Sequence, residues 1–142
     1  MSIIREATCR SDLAPEALYH AVSQVCRWPE WDPELDSVTC DQAVATTGTR
    51  FVLKPKGGPR VRLVVEEAAP PHRFTDIAFL PLARMRTVHA FEALPDGGTR
   101  VTQRFETSGL LAWLWDRVLV RGQVAGAAAQ VARMANFARS AD

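Results

Sequence analysis

The stretch RMRTVHAFEALPDGGTRVTQRFETSG spans residues 84–109 and contains two runs in which polar and apolar side chains alternate. Alternation with a period of two is typical of β-strands. The segment Asp96-Gly97-Gly98 between the runs is typical of a tight turn, because glycine readily adopts positive φ angles. The stretch therefore predicts an antiparallel hairpin, and Gly109 is expected to end its second strand.

The length of the hairpin loop decides which side chains face the interior. A three-residue loop at 96–98 places the odd-numbered residues of both strands on one face, whereas a two- or four-residue loop would expose the aromatic side chains. This loop predicts that His89 lies opposite Phe105 and that Phe91 lies opposite Gln103. The inner face is then an apolar wall with a few polar groups, as in many ligand pockets.

The rest of the chain predicts the order strand, helix, run of strands and long helix. Pro15 and Glu16 suit the first turn of a helix, and Trp28-Pro29 is expected to end it because proline disfavours helix in the preceding residue. Strands are expected at residues 3–10, 38–45, 49–55, 61–67, 73–80, 84–94 and 99–108, and the long helix at residues 110–139. This order predicts one α+β domain over residues 1–142, with an antiparallel sheet and the last helix on one face.

Composition limits the class of protein. The chain has 142 residues, a length that suits one domain. Its net charge of +1 argues against a nucleic-acid-binding protein, which is usually strongly basic. No apolar run reaches the roughly 20 residues of a membrane-spanning helix, and the first ten residues lack a signal-peptide core, so we expect a cytoplasmic protein with no membrane span. The cysteines and histidines are too widely spaced for a zinc motif, and no metal or cofactor is expected.

The long helix is expected to be apolar on nearly all sides. Helical spacing predicts one broad face that lines the interior: Leu114, Trp115, Val118, Gly122, Ala125, Ala129 and Ala132. The opposite side carries Trp113, Val120, Val124 and Val131. Since a surface helix is normally polar on one side, either a second copy of the chain or nearby loops should cover this side, and a homodimer is slightly favoured.

Segments in order along the chain carry a family resemblance, namely residues 14–19, 28–33, 66–74, 89–92, 96–102 and 108–111. Together they resemble the START/birch-pollen-allergen-like helix-grip superfamily (SRPBCC), and within it the polyketide cyclase/dehydrase-like proteins. The resemblance implies a curved antiparallel sheet wrapped around a long C-terminal helix, with an apolar cavity between them. It further implies binding of lipids, sterols, polyketides or other hydrophobic molecules, and in some members cyclisation or dehydration.

One departure from this family suggests candidate catalytic residues. Relatives often carry an aromatic residue two places after the position of Phe74, where this chain has Asp76. Asp76 would face inward with Phe74 and approach His89, and a carboxylate beside an imidazole supports acid–base chemistry. The alternative, that Asp76 lies in water at the cavity mouth and His89 is a core histidine, stays open.

Three functions follow from these expectations. The first is binding of a hydrophobic small molecule, lined by Phe51, Leu63, Phe74, Phe91, Gln103, Phe105, Trp115 and Val118. The second is a cyclase- or dehydratase-type enzyme that uses His89 and Asp76. The third is a protein-interaction module that uses the apolar outer face of the last helix.

Overall fold

A seven-stranded antiparallel sheet forms the centre of the protein, in a computed structural model that describes residues 2–140. The strand order is β1-β7-β6-β5-β4-β3-β2. The strands are β1 (Ser2–Ser11), β2 (Leu35–Thr39), β3 (Arg50–Pro55), β4 (Val61–Ala69), β5 (Arg73–Leu80), β6 (Ala83–Ala93) and β7 (Thr99–Ser108). The helices are α1 (Pro15–Ser23), α2 (Ala112–Trp115), α3 (Arg121–Ala125) and α4 (Ala127–Ser140), with a 3₁₀ helix at Val25–Glu30 and a π-helical turn at Asp116–Val120. The predicted α+β class and element order are confirmed.

The first helix is shorter than predicted. It ends at Ser23, and Gln24 has the non-helical angles φ −87° and ψ 68°. The side chains of both residues donate hydrogen bonds to the backbone carbonyl of His20, so they compete with the helical pattern at this point. A separate 3₁₀ helix then carries the chain through Trp28-Pro29.

The predicted strand at residues 38–45 is wrong in its bounds. β2 ends at Thr39, and residues 40–49 form an irregular loop. Gly48 has a φ of 91°, and the amide of Ala45 donates to the carbonyl of Ser23 instead of a neighbouring strand. This segment therefore links the sheet to the end of α1.

The loop of the β6–β7 hairpin has three residues, as predicted, but it lies one residue earlier. The amide of Leu94 donates to the carbonyl of Gly98, so the loop is Pro95 to Gly97. Proline has no N–H to donate within a strand ladder, and Gly97, with a φ of 90°, takes the left-handed position of the turn. The sequence signal for a three-residue loop was correct, and proline decided its position.

This shift changes the pairing of the hairpin but not its faces. His89 lies opposite Gln103, and Phe91 lies opposite Val101, so the predicted partners Phe105 for His89 and Gln103 for Phe91 are wrong. The odd-numbered residues of both strands still share the inner face, because moving the loop by one residue shifts each partner by two. The inner face is covered by α1 and by the C-terminal helical region.

The C-terminal helical region turns inward the side that carries Val120 and Val131, opposite to the one predicted, although Trp113, which was expected on that side, is 53% exposed. Its buried residues are Ala112, Asp116, Val120, Ala127, Val131, Met134, Ala135 and Phe137. Val118 is 62% exposed, and Gly122, Ala125, Ala129 and Ala132 are also exposed. Because both sides of this region are apolar, periodicity alone did not decide between them, and the side with the bulkier Val120 and Val131 fills the core.

A half-buried ion pair joins β1 to the C-terminal helical region. Asp116, in the π-helical turn, accepts hydrogen bonds of 2.6 and 2.8 Å from the Nε and Nη2 atoms of Arg5. Arg121 Nε lies 3.3 Å from the same carboxylate. The hydrogen bond from Arg5 holds the pKa of Asp116 below its ordinary value. Such a bidentate pair fixes both the distance and the orientation of the two elements.

Substitution of Asp116 by asparagine is expected to lower the free energy of unfolding at pH 7 by about 2 kcal/mol, a value reduced because Arg5 is partly exposed. The pKa of Asp116 is lower in the folded than in the unfolded state, so its contribution is complete at neutral pH and disappears as the pH falls through the lowered folded value. Urea unfolding of the unsubstituted protein and of the Asp116→Asn variant, at neutral and at acidic pH, measures the difference in the free energy of unfolding. The exposed Asp12→Asn serves as control, and equal losses in the two variants at pH 7 would contradict the expectation.

Candidate functional site

A row of four polar side chains crosses the inner face of the sheet and reaches the C-terminal helix. It consists of Asp76 on β5, His89 on β6, Gln103 on β7 and Gln130 on α4, and is called the polar row below. Asp76 and Gln103 are 4% and 3% exposed, and His89 is largely buried. His89 lies directly opposite Gln103, and Asp76 lies diagonally across from His89 because it pairs with Thr87.

The members of the polar row are close to one another. Gln103 Nε2 donates a hydrogen bond of 3.0 Å to Gln130 Oε1, which connects the sheet to α4. Asp76 Oδ2 lies 3.7 Å from His89 Nε2, a distance that is too long for a hydrogen bond. The two residues predicted as a pair are therefore neighbours on the inner face.

Several polar atoms on this face have no hydrogen-bond partner among the described residues. They include His89 Nδ1, Gln103 Oε1 and Tyr19 Oη, each of which is buried. An unsatisfied buried polar group costs about 1–3 kcal/mol, so such groups in native proteins usually meet a ligand or ordered water.

Tyr19 reaches this region from α1. Its ring packs edge-on against Phe74 and Phe91, with centroid distances of 6.2 and 6.3 Å. Burial raises the pKa of Tyr19, and the charge of Glu67 raises it further, so the hydroxyl is neutral at pH 7 and can donate a hydrogen bond. Sequence reasoning did not include Tyr19 among the candidates, although its spacing from Val22 along α1 marks it as part of the buried stripe.

Most of the apolar residues predicted to line a ligand site are buried on the inner face. Each is at most 5% exposed: Phe51, Leu63, Phe74, Phe91 and Phe105. Phe74 and Phe91 flank His89, whereas Phe51 packs against Trp28 at a centroid distance of 5.5 Å, on the β3 side of the sheet. The polar row therefore has its apolar neighbours chiefly on β5 and β6.

Two residues predicted for the lining lie elsewhere. Val118 is exposed on the outer side of the π-helical turn. Trp115 is half-buried, and its indole N–H donates a 3.0 Å hydrogen bond to the carbonyl of Pro81 at the β5–β6 turn. Both positions follow from the reversed orientation of the C-terminal helical region.

Two surface pockets lie away from the polar row. One, of about 600 Å³, is on the outer face of the sheet and is lined by Thr47, Glu66, Glu67, Arg73, Arg86, Val88, Arg104 and Glu106. The arginines and glutamates there pair with one another, as in Arg86 with Glu66 and Glu106. The other, of about 420 Å³, lies at the β3–β4 side of the sheet and includes Phe51 and Leu63.

Residues 4–141 match a family model described as "Polyketide cyclase / dehydrase and lipid transport". The chain belongs to this family. The predicted resemblance is confirmed over nearly the whole described length. No curated protein matches the chain in sequence.

Solved structures share the fold of this family member at low sequence identity. Norcoclaurine synthase from Thalictrum flavum, determined as a point mutant with a transition-state analogue, has 8% identity and a TM-score of 0.78 over 99% of this chain and 98% of that one. Ara h 8.0201 has 13% identity and a TM-score of 0.73 over 99% of both chains. The di-domain ARO/CYC protein BexL of the BE-7585A biosynthetic pathway has 23% identity and a TM-score of 0.66 over 98% of this chain and 44% of that one. These similarities confirm the helix-grip fold.

None of the helices within residues 2–140 has the length and apolar character needed to cross a membrane.

Proposed function

We propose that the protein binds a hydrophobic small molecule that carries a polar group, such as a lipid-, polyketide- or aromatic-like compound, between the sheet and the C-terminal helical region. The observation that carries this proposal is the set of three unpartnered buried atoms, His89 Nδ1, Gln103 Oε1 and Tyr19 Oη, on an otherwise apolar face. Apolar walls with a few convergent polar groups are the usual form of a small-molecule site. The family description, which includes lipid transport, supports the same class of ligand.

Each part of such a ligand has a matching group. Transfer of the ligand's own apolar surface from water to a position beside the already buried Phe74 and Phe91 would supply most of the affinity, at about 25 cal/mol per Å² of ligand apolar area buried. Gln103 Oε1 accepts a hydrogen bond from a ligand hydroxyl, and Tyr19 donates one to a ligand carbonyl. A purely apolar ligand would leave these groups unpaired, so the site selects molecules that combine a large apolar body with oxygen substituents.

The proposed route of entry passes under α3. No residue of α3 is buried, and Gly126, with φ −92° and ψ 4°, separates it from α4. A segment with few buried contacts opens at low free-energy cost. The ligand would reach the polar row when residues 121–126 move outward, while α4 stays packed on α1 and β1.

A titration with the neutral, carbonyl-bearing apolar dye Nile red tests this proposal. The dye is expected to bind with enhanced fluorescence, and Tyr19→Phe is expected to raise its Kd about tenfold because the hydrogen bond from the Tyr19 hydroxyl to the dye carbonyl is lost. The matched control is Thr102→Val, which removes a hydroxyl from the outer face of the sheet and should leave Kd unchanged. Absence of dye binding, or the same Kd for both variants, would contradict the proposal.

A second candidate is an acid–base enzyme of the cyclase or dehydratase kind, favoured by the 3.7 Å distance between Asp76 Oδ2 and His89 Nε2. In a dehydration, His89 Nδ1 would take a proton from the carbon next to a ketone, while Asp76 stabilises the imidazolium. The same nitrogen would then return the proton to the departing hydroxyl, which leaves as water. His89 Nδ1, which has no hydrogen-bond partner among the described residues, is assigned as the base because Nε2 faces the carboxylate of Asp76.

A further inference from the structure

Four large apolar side chains on the β5–β6 turn and in the first part of the C-terminal helical region are exposed to solvent, and this surface is here called the apolar tip. They are Leu82, Leu110, Trp113 and Val118, which are 64%, 80%, 53% and 62% exposed. The β5–β6 turn, which carries Leu82, packs against the start of the C-terminal helical region. The amide of Leu111 donates to the carbonyl of Leu82 at 3.0 Å, and the Trp115 indole donates to the carbonyl of Pro81.

Leu82 occupies a position that does not suit leucine. It is the second residue of the two-residue turn Pro81-Leu82, since Leu80 pairs with Ala83, and its φ is 55°. Turns with positive φ at this position favour glycine or asparagine, which adopt it with less strain. Leucine here costs backbone energy and also exposes an apolar side chain. Strained backbone positions of this kind cluster at functional sites.

The surroundings of the apolar tip are basic. Residues 77–86 and 108–126 carry a combined formal charge of +3, or +2 when Arg86 is left out because it pairs with Glu66 and Glu106, although the whole chain carries only +1. Arg84, Arg117 and Arg121 are exposed, whereas the one carboxylate of these segments, Asp116, is buried against Arg5. Exposed positive charge thus surrounds projecting apolar groups.

We propose that the apolar tip docks on an anionic lipid surface. Projecting leucine, valine and tryptophan side chains suit the boundary between headgroups and acyl chains, and arginines around them suit lipid phosphates. A second copy of the chain fits this end less well, because a two-fold contact would bring the arginines of the two copies together. Docking of this type needs no spanning helix, and it is independent of the small-molecule site.

Flotation with phospholipid vesicles, with and without phosphatidylglycerol, tests the proposal. The protein is expected to bind the anionic vesicles and to bind them less as the salt concentration rises. Leu82→Asn is expected to reduce the partition coefficient about tenfold while keeping or raising Tm, because asparagine relieves the turn. Arg117→Gln is expected to reduce binding about fivefold, and only to anionic vesicles.

The matched control is Val44→Asn, which removes a side chain that is 44% exposed in the loop between β2 and β3, at the opposite end of the sheet. It should leave vesicle binding unchanged. The proposal is overturned if anionic vesicles do not bind, or if Leu82→Asn binds as well as Val44→Asn. A third result also overturns it: the protein does not bind vesicles, and sedimentation shows a dimer that the Leu82→Asn substitution dissociates. In that case a second copy of the chain covers the apolar tip.

Discussion

Replacement of Phe74 by alanine is expected to lower the free energy of unfolding by about 3–5 kcal/mol. Phe74 is fully buried on the inner face, where its ring lies 6.2 Å from the rings of both Tyr19 and His89. Truncation removes these contacts and leaves a cavity at the centre of the proposed ligand site. Urea denaturation followed by circular dichroism measures the loss.

The same strand supplies a matched control. Phe79 lies on the outer face, is 36% exposed and has the Arg84 guanidinium 5.3 Å from its ring centre. Phe79→Ala is expected to lower the free energy of unfolding by less than about 1 kcal/mol, the usual range for surface changes plus an exposed cation–π contact. Equal losses in the two variants would mean that the assignment of faces along β5 is wrong.

On the acid–base proposal, His89→Ala is expected to slow dehydration of an apolar β-hydroxy ketone by about 10²–10⁴-fold, the usual contribution of general acid–base catalysis. The reason is that His89 Nδ1 is the group that takes and returns the proton. Asp76→Asn is expected to slow the reaction as well, because it removes the charge that stabilises the imidazolium. Liquid chromatography with mass detection follows the loss of water from the substrate.

His20→Ala is the control for this experiment, since His20 is an exposed residue of α1. It should retain the full rate. Full activity in both His89→Ala and Asp76→Asn would exclude the enzymatic proposal and leave ligand binding untouched, because binding rests on the unpartnered atoms and not on proton transfer.

The sheet could be predicted from the sequence because alternation along β5, β6 and β7 is strong. The bounds predicted for β5 and β7 are those observed. The pairing within the last hairpin was wrong by two residues, because the Asp-Gly-Gly signal was assigned to the whole loop while Pro95 belongs to it. Alternation along a strand predicts which side chains share a face of the sheet, whereas the residue-by-residue pairing of two strands depends on a single residue of the turn.

The C-terminal helical region could not be oriented from its sequence. Its two sides are both apolar, so helical spacing does not distinguish them. In the observed orientation Asp116 pairs with Arg5, which is 111 residues away along the chain. A buried aspartate within an apolar helix was the available signal, because such a carboxylate requires a cation nearby.

The candidate site was predicted in part. The proximity of Asp76 to His89 follows from alternation on adjacent strands, and the structure brings their side chains to 3.7 Å. Tyr19 and Gln130 were missed because they come from α1 and α4, whose positions over the sheet depend on tertiary packing. Contacts within a sheet can be read from periodicity, but contacts between layers cannot.

The central claim is that the polar row contacts a hydrophobic ligand. Its most direct test is a titration with Nile red in which heteronuclear NMR monitors the side-chain amide signals of the glutamines. The signals of Gln103 and Gln130 are expected to shift with the dye concentration, while that of Gln42, in the loop after β2, stays in place. Unchanged Gln103 and Gln130 signals at saturating dye would contradict the claim.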